Sequence, residues 1–473
     1  MPTTSSPTPG GPYGPAVDEL RALVRGVVLA PADSACAEVQ AEQVQAAHDG
    51  AVIVQAASTA DVLATIGVAR RHSIGIDVRA GDHPTVDRSA GCAVVLDLSA
   101  MRGVAVDPLD RTAVVAGGAT WADVDGATQP HGLAVPGGRI SSTGVAALTL
   151  RGGDGWLSGR HGLSCDNLIE VELVTADGRV VAVDERREPD LFWALRGGGG
   201  NVGVVTSLTF RLHPIEPLVL GGLLAYPLAA APRVLALLGE LVEESGGDLG
   251  GAAAFLHAPP APYVPGDVVG RPVLGVVPAY FGDPGAGQEL LRPLREKVLP
   301  LIDAVGPVPY VALQRQLDSG NPPGMRNRCS SGSVPELTGP LVSDLQDAAA
   351  RMPGPLSAIV VAPLGPAVRE ATADDTALPA GARGRWLIHA MARWRDPGGD
   401  AEAARWVDGI VAATRTTGAP GRDLDLAGSA RHRRLQEVEA AWDPDDVFGR
   451  STPAAACRRM TVRTDPLEKE CST

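Results

Sequence analysis

Glycine is concentrated in four segments of the first half of the sequence, and the backbone of such segments can bind phosphate. The segments span residues 79–83, 136–138, 151–156 and 197–203. Glycine allows close approach of the chain to a ligand and positive φ angles. Consecutive backbone N–H groups in such turns cradle a pyrophosphate without basic side chains. Each segment alone is typical of a tight turn, but the four together predict a dinucleotide site. None is a Gly-x-Gly-x-x-Gly opening a long helix, which disfavours a Rossmann domain.

The order of these segments, with the residues between them, resembles a known enzyme family. The similarity is strong over residues 50–215 and weaker at residues 308–310, 376–379 and 442–448. The motifs that carry it include Gly117-Gly118-Ala119-Thr120-Trp121, Gly155-Trp156-Leu157-Ser158, Gly162-Leu163-Ser164-Cys165-Asp166-Asn167-Leu168 and Pro189-Asp190-Leu191-Phe192-Trp193-Ala194-Leu195-Arg196-Gly197-Gly198-Gly199-Gly200-Asn201. In these motifs the sequence is similar to the berberine-bridge-enzyme-like FAD-linked oxidases of the vanillyl-alcohol-oxidase superfamily.

The resemblance implies an α+β fold of two domains. One is a PCMH-type FAD-binding domain, and the other is an α+β substrate domain in which helices cover an antiparallel sheet. We expect a flexible N-terminal tail over residues 1–16 and the FAD-binding-type domain over 17–215. The substrate domain is expected over 216–429, and residues 430–473 are expected to return to the first domain.

The resemblance also implies FAD as the cofactor. His83 stands where members of the family bond the 8-methyl carbon of the flavin. In the family the flavin takes a hydride, a tyrosine or other base takes a proton, and O₂ reoxidises the flavin. The residues expected to bind the cofactor are Arg79, Gly81, Asp82, His83, Gly137, Gly138, Ser142, Thr143, Gly144, Gly152, Gly153, Gly155, Gly203, Val204 and Val205.

Several residues depart from the family pattern around the cofactor. Asp82 replaces a glycine, and a carboxylate about 5 Å from a diphosphate would cost roughly 3 kcal/mol at an effective dielectric of 20. Arg151 fills another glycine position and is a candidate to neutralise Asp82 or Asp154. Residues 139–143 contain no cysteine, so a second covalent link to the flavin is not expected. Cys165 is interpreted as a small core residue.

The usual base of the family is also missing. No tyrosine follows Tyr310, whereas the family carries one shortly before its last helix. The candidates for a replacement base are therefore Tyr310, His389 and Asp425, with His432 and Asp423 as further possibilities. Tyr310 and His389 are equally compatible with ordinary core positions.

Three functions remain open at this point. The first is an FAD-linked oxidoreductase of bacterial secondary metabolism that acts on a small natural-product intermediate by hydride transfer. The second is a redox-silent cyclase or isomerase, such as a pericyclase, which reuses the cavity and acts by proximity, with FAD structural or lost. The third is a non-catalytic ligand-binding protein.

Composition excludes several other classes. There are 41 basic and 55 acidic residues, for a formal net charge of −14, and such a surface disfavours nucleic acid as a partner. No apolar run reaches the length of a membrane span, and no signal peptide is recognised. The six cysteines and nine histidines show no metal-binding spacing. We therefore expect a cytoplasmic protein with a small-molecule substrate and no metal.

The periodicity of apolar residues predicts the elements that position these residues. Helices are expected over residues 17–29, 59–71, 121–128, 233–244, 287–298, 342–352, 401–415 and 429–442. Strands are expected over 51–55, 75–79, 94–98, 104–107, 112–116, 167–175, 179–184, 202–212, 218–227, 273–281 and 359–363. The pattern of expected strands and helices changes after residue 216, which favours a second domain.

Overall fold

The structure is a computed structural model that describes residues 13–36, 51–81, 94–199, 201–322, 324–371, 373–415 and 429–448. Four of the predicted site residues lie outside the described residues: Asp82, His83, Asp423 and Asp425. In the described part, no helix is long and apolar enough to cross a membrane.

The helices are short, and most begin at a proline or at a capping side chain. Ser58 accepts the backbone N–H of Asp61 at the start of α2, which is the usual role of an N-cap. The helices are α1 (Gly14–Leu23), α2 (Thr59–Arg71), α3 (Trp121–Thr128), α4 (Val145–Thr149), α5 (Ser158–His161), α6 (Pro189–Leu195), α7 (Ala231–Glu244), α8 (Pro284–Leu290), α9 (Arg292–Glu296), α10 (Tyr310–Gln314), α11 (Gly339–Ala349), α12 (Pro366–Glu370), α13 (Asp400–Arg415) and α14 (Ala430–Trp442).

The strands of the described segments form four sheets. They are β1 (Val27–Leu29), β2 (Val52–Gln55), β3 (Ile76–Arg79), β4 (Val94–Asp97), β5 (Val104–Asp107), β6 (Thr112–Ala116), β7 (Leu133–Ala134), β8 (Leu168–Val174), β9 (Val180–Val183), β10 (Val204–Arg211), β11 (His213–Pro214), β12 (Leu218–Gly221), β13 (Leu224–Pro227), β14 (Leu249–His257), β15 (Pro272–Tyr280), β16 (Ile302–Asp303), β17 (Gly306–Pro309), β18 (Arg326–Val334), β19 (Ala358–Pro363) and β20 (Trp386–Trp394).

The first half of the chain contains three of these sheets, the smallest of which pairs β7 with β11. Strands β1-β2-β4-β3 form a four-stranded sheet, with β4 parallel to both β2 and β3. Strands β5-β6-β10-β8-β9 form an antiparallel five-stranded sheet. Helix α14 returns to this half, since Leu435 and Val438 join its apolar core. The last described residues, Val447 and Phe448, pack in the core of the four-stranded sheet.

The second half contains a nine-stranded antiparallel sheet whose path runs β16-β13-β15-β14-β19-β20-β18, with β12 and β17 alongside. Helices α7, α11 and α13 pack on one face, where Leu238, Leu345 and Val407 are buried in one cluster. The other face meets the first half of the chain. There Leu387 of β20 shares a cluster with Leu163 and Cys165.

The structure corrects three of the predicted elements. The helix expected over residues 17–29 is wrong in extent, because it begins at Gly14 and gives way to β1 at Val27. The strand expected over 218–227 is two strands separated at Gly222, whose φ is +131°. The helix expected over 287–298 is two short helices, α8 and α9.

Candidate functional site

The first glycine segment lies against the loop of residues 137–144. Gly81 follows the end of β3 with φ +77°, and a Cβ on it would lie 2.4 Å from the Cα of Gly144. A Cβ on Gly144 would in turn lie 1.8 Å from the carbonyl oxygen of Ala80. Both positions therefore require glycine, because any side chain would push the two segments apart. The contact brings together Arg79, Gly81, Ser142, Thr143 and Gly144, five of the residues that were expected to bind the cofactor.

The loop of residues 137–144 has backbone donors that suit a phosphate. Within the described residues, the N–H groups of Ser142 and Gly144 make no hydrogen bond. The loop is held in place beside them, because Ser141 donates its N–H and its hydroxyl to the two oxygens of Asp318, at 2.9 and 2.6 Å. Free N–H groups on a fixed loop beside a glycine turn fit the pyrophosphate of a dinucleotide.

The third glycine segment packs directly on the second. A Cβ on Gly155 would lie 1.7 Å from the carbonyl oxygen of Gly137, so these two backbones touch. Gly152 and Gly153 both have positive φ, at +108° and +84°. The hydroxyl of Ser164 donates to the carbonyl oxygen of Pro136 at 2.7 Å and fixes the pair of loops from behind.

The fourth predicted group lies at the start of β10, in a different sheet from β3. Gly203 precedes β10, and a Cβ on Gly117 would lie 2.2 Å from the carbonyl oxygen of Val205. A Cβ on Gly118 would likewise lie too close to the carbonyl oxygen of Leu98. The N–H of Leu98 donates to the backbone carbonyl oxygen of Arg79. Val205 is therefore connected to the end of β3 through Gly117, Gly118 and Leu98. Gly203 instead packs against Leu173 and Val174 of β8, and Val204 is fully buried in the core of the four-stranded sheet.

An ion pair that the sequence did not reveal joins the two middle loops. Arg139 Nη1 lies 2.6 Å from Asp154 Oδ2, and both side chains are largely buried. Arg139 also donates to the Gly155 carbonyl at 3.2 Å and lies 5.1 Å from the centre of the Trp156 ring. Asp154 is therefore neutralised by Arg139, and Asp82, the other partner considered for Arg151, lies outside the described residues.

His389 lies on the face of the nine-stranded sheet that meets the first half of the chain. Trp386, Ile388 and Ala390 point into the helix-covered core, so the alternating residues of β20 point the other way. His389 Nδ1 lies 2.6 Å from the hydroxyl oxygen of Ser331, its register partner on β18. The sequence singled out His389 but gave no sign of Ser331.

Tyr310 and His432 are positioned differently from His389. Tyr310 is 1% exposed in α10, where its ring lies 6.3 Å from that of Phe281. Burial raises the pKa of Tyr310 well above its usual value, and the nearby carboxyl of Asp125 adds to the rise. A hydroxyl with this pKa holds its proton at neutral pH, which is unfavourable for a base. His432 is buried in the first turn of α14, the helix that packs against α6.

Two solved structures share this fold over almost the whole chain. One is 6-hydroxy-D-nicotine oxidase from Arthrobacter nicotinovorans, with 21% identity and a TM-score of 0.76 over 90% of this chain and 96% of that one. The other is berberine-bridge-enzyme-like protein 1 of Physcomitrella patens, with 20% identity and a TM-score of 0.78 over 92% and 97%. The predicted two-domain PCMH-type α+β fold is confirmed.

The fold and the glycine loops define a flavoprotein. The model of an FAD binding domain matches residues 50–184. An FAD-linked oxidoreductase of Dictyostelium discoideum is 32% identical over 330 residues, which cover 68% of this chain and 69% of that protein. The chain belongs to the family of FAD-linked oxidoreductases. FAD is its cofactor and it is an FAD-dependent oxidoreductase, as the sequence predicts.

Proposed function

We propose that this chain oxidises a small natural-product intermediate by hydride transfer to the flavin, with His389 as the base that takes the accompanying proton. The observation that supports this proposal is the pair of His389 and Ser331, with 2.6 Å between Nδ1 and Oγ. The pair lies on the sheet face that meets the first half of the chain, which carries the glycine loops. The redox assignment follows from the family, and the choice of base follows from this geometry.

The pair has the form of an oriented base. When His389 Nδ1–H donates to Ser331 Oγ, the lone pair is on Nε2, which is the tautomer that accepts a proton. Ser331 then continues to accept from Nδ1–H after His389 becomes charged. Histidine also has an ordinary pKa near neutrality, which suits proton transfer at physiological pH.

The residues around this base suit the apolar part of a substrate. Ala252, Ala362 and Leu387 on the same sheet face are buried in one apolar cluster with residues of the first half. The proposed base therefore lies beside an apolar part of this sheet face, which favours a substrate whose carbon skeleton is apolar. FAD, when bound by the glycine loops, accepts the hydride and passes the electrons to O₂.

The experiment is anaerobic bleaching of the flavin absorbance of the purified holoprotein. The probes are 6-hydroxy-D-nicotine, benzyl alcohol and N-methylbenzylamine, which offer different C–H bonds beside a heteroatom. With a probe that bleaches the wild type, we expect His389→Gln to slow bleaching by roughly 10²- to 10⁴-fold, the usual contribution of a general base. Ser331→Ala is expected to lower the rate less and to shift its pH profile.

The matched control is His131→Gln, because His131 is an exposed histidine far along the chain from the proposed base. It should bleach at the wild-type rate. A wild-type rate in His389→Gln would rule out His389 as the base. A flavin that dithionite reduces but no probe bleaches would favour the redox-silent cyclase alternative.

We also propose that His83 carries the flavin covalently. The proposal is supported by the contact of Gly81, two residues earlier, with the loop at Gly144. The flavin absorbance is then expected to stay with the protein after acid precipitation, and His83→Ala should release it into the supernatant. Flavin in the supernatant of the wild type would contradict the covalent bond while leaving FAD binding intact.

A further inference from the structure

Arg393 is a buried cation on the same sheet face as His389, four residues further along β20. The residue is 7% exposed. Its Nη1 donates to the Gly320 carbonyl, and its Nη2 lies 3.6 Å from the thioether sulfur of Met391. A guanidinium has five N–H groups, so these two neutral acceptors leave most of its donors unused.

Other largely buried arginines of this chain are neutralised by a carboxylate. Arg139 lies 2.6 Å from Asp154, and Arg383, whose side chain is 7% exposed, lies 2.7 Å from Asp166. Arg393 differs from them. Among the described residues, no carboxylate oxygen lies within 4.0 Å of its guanidinium.

The groups around Arg393 do not supply a negative charge. Burial lowers the pKa of Arg393, but arginine keeps its proton in proteins. The titratable neighbour that acts on it is Cys329, and burial raises the pKa of that thiol to about 11. Cys329 is therefore neutral at physiological pH. A buried charge with no counter-charge is unfavourable, which indicates that the missing anion is a ligand.

The position of Arg393 connects it to the cofactor loops. Gly320, which accepts its hydrogen bond, ends the 3₁₀ turn Asp318–Gly320. Asp318 in that turn binds Ser141 in the loop of residues 137–144. Along the strand, Arg393 is about 13 Å from His389, at 3.3 Å per residue. One elongated small molecule can therefore contact both.

We propose that Arg393 binds a carboxylate of the substrate, at the end of the molecule away from the carbon that is oxidised. The planar guanidinium matches the two oxygens of a carboxylate. This inference rests on the proposed function, because it takes this sheet face as the substrate site. The inference adds the chemical class of the substrate, which is a small organic acid with an apolar carbon skeleton.

The experiment measures ligand binding by thermal unfolding and by difference spectra of the bound flavin. The probes are benzoate, hexanoate and decanoate, each compared with its uncharged methyl ester. The proteins are wild-type holoprotein, Arg393→Met, Arg393→Gln and Arg393→Lys. The matched control is Arg233→Met, at an exposed arginine of α7. We expect at least one carboxylate to bind the wild type and the control more tightly than its ester does.

In Arg393→Met and Arg393→Gln the preference for the acid should fall by about 10- to 100-fold, the usual effect of a charge-assisted hydrogen bond, and Arg393→Lys should keep part of it. Without ligand, Arg393→Met should unfold at the wild-type temperature or higher, because a buried unpaired charge is removed. The inference is overturned if acids and esters act alike on the wild type, if Arg393→Met and Arg393→Gln keep the preference, or if inorganic phosphate binds in place of every carboxylate.

One variant separates this inference from the proposed function. His389→Gln should keep the preference for the acid while it loses flavin bleaching. Full bleaching in His389→Gln with the preference intact would reject His389 as the base and retain the carboxylate site. Slow bleaching in His389→Gln, together with an unchanged preference for the acid in Arg393→Met, would retain His389 as the base and reject the carboxylate site.

Discussion

At the scale of single residues, the contact of Asp125 with Gln314 shows how a buried acid is accommodated. Gln314 Nε2 donates to Asp125 Oδ2 at 2.9 Å, from α10 to α3. Asp125 Oδ1 and Gln314 Oε1 are both buried acceptors with no partner among the described residues. A proton on Asp125 Oδ1 would let it donate to Gln314 Oε1. Burial raises the pKa of Asp125 to about 7, more than the bond from Gln314 lowers it, which favours this protonated form.

The first prediction at this scale concerns Asp125→Asn. The folded pKa of about 7 is above the ordinary value of 3.8, so this group's stabilisation is complete below pH 3.8 and is lost as pH rises to about 7. An asparagine amide donates and accepts in the same places without titrating. We expect the variant to gain about 2–3 kcal/mol over the wild type between pH 5 and pH 8, measured by urea unfolding.

The control for this prediction is Asp18→Asn, at an exposed position of α1. It should track the wild type at both pH values. A constant difference between Asp125→Asn and the wild type across this range would mean that Asp125 is charged in the folded protein. Asp125→Ala should be less stable than Asp125→Asn at every pH, because it leaves the Gln314 amide buried without a partner.

At the scale of elements, periodicity predicted the strands and helices with one clearly apolar face. The strand at 104–107 and the helix at 121–128 match β5 and α3 to the residue. Two of the strands it missed, β14 and β18, lack that signal, whereas β20 was missed although Trp386, Ile388 and Ala390 give it an apolar face. β14 begins Leu249-Gly250-Gly251 and continues through three alanines, and the first six residues of β18 are polar or charged except for Cys329. These strands are specified by pairing with neighbours far along the chain, on which a local pattern carries no information.

The same distinction holds for the candidate site. The glycine loops could be predicted, because close backbone contact demands glycine at particular positions such as Gly144 and Gly155. The polar pairs could not. Ser331 lies in the missed strand β18, and Arg139 meets Asp154 only because two loops fold onto each other. Two residues of opposite charge in neighbouring glycine loops were the one available signal of that pair.

At the scale of the whole molecule, the chain passes from its first half to its second beside a stacked pair of histidines. The rings of His161 and His213 are 3.7 Å apart and nearly parallel. His213 Nε2 lies 2.6 Å from Asn167 Oδ1, and Arg160 next to the pair donates to the Phe281 carbonyl of the second half. The pair therefore lies at the junction, where its protonation would affect the connection between the halves.

Burial and the neighbouring positive charges keep both histidines neutral. Desolvation lowers the pKa of His161 to about 3, with His213 and Arg160 adding to the effect. Desolvation also lowers the pKa of His213 to about 4, with contributions from Arg211 and Arg160. The unfolded chain protonates both near pH 6.5. Their contribution to stability is therefore present above pH 6.5 and is lost as pH falls toward 4.

This dependence is opposite in sign to that of Asp125, so the two sites together predict a stability maximum near pH 6–7. His161→Phe separates them, because phenylalanine preserves the stack and His213 keeps its bond to Asn167. We expect the slope of unfolding free energy against pH near pH 5 to fall by about one proton. The slope above pH 7 should not change. An unchanged slope at pH 5, measured by urea unfolding in steps of half a pH unit, would mean that His161 is already protonated in the folded protein.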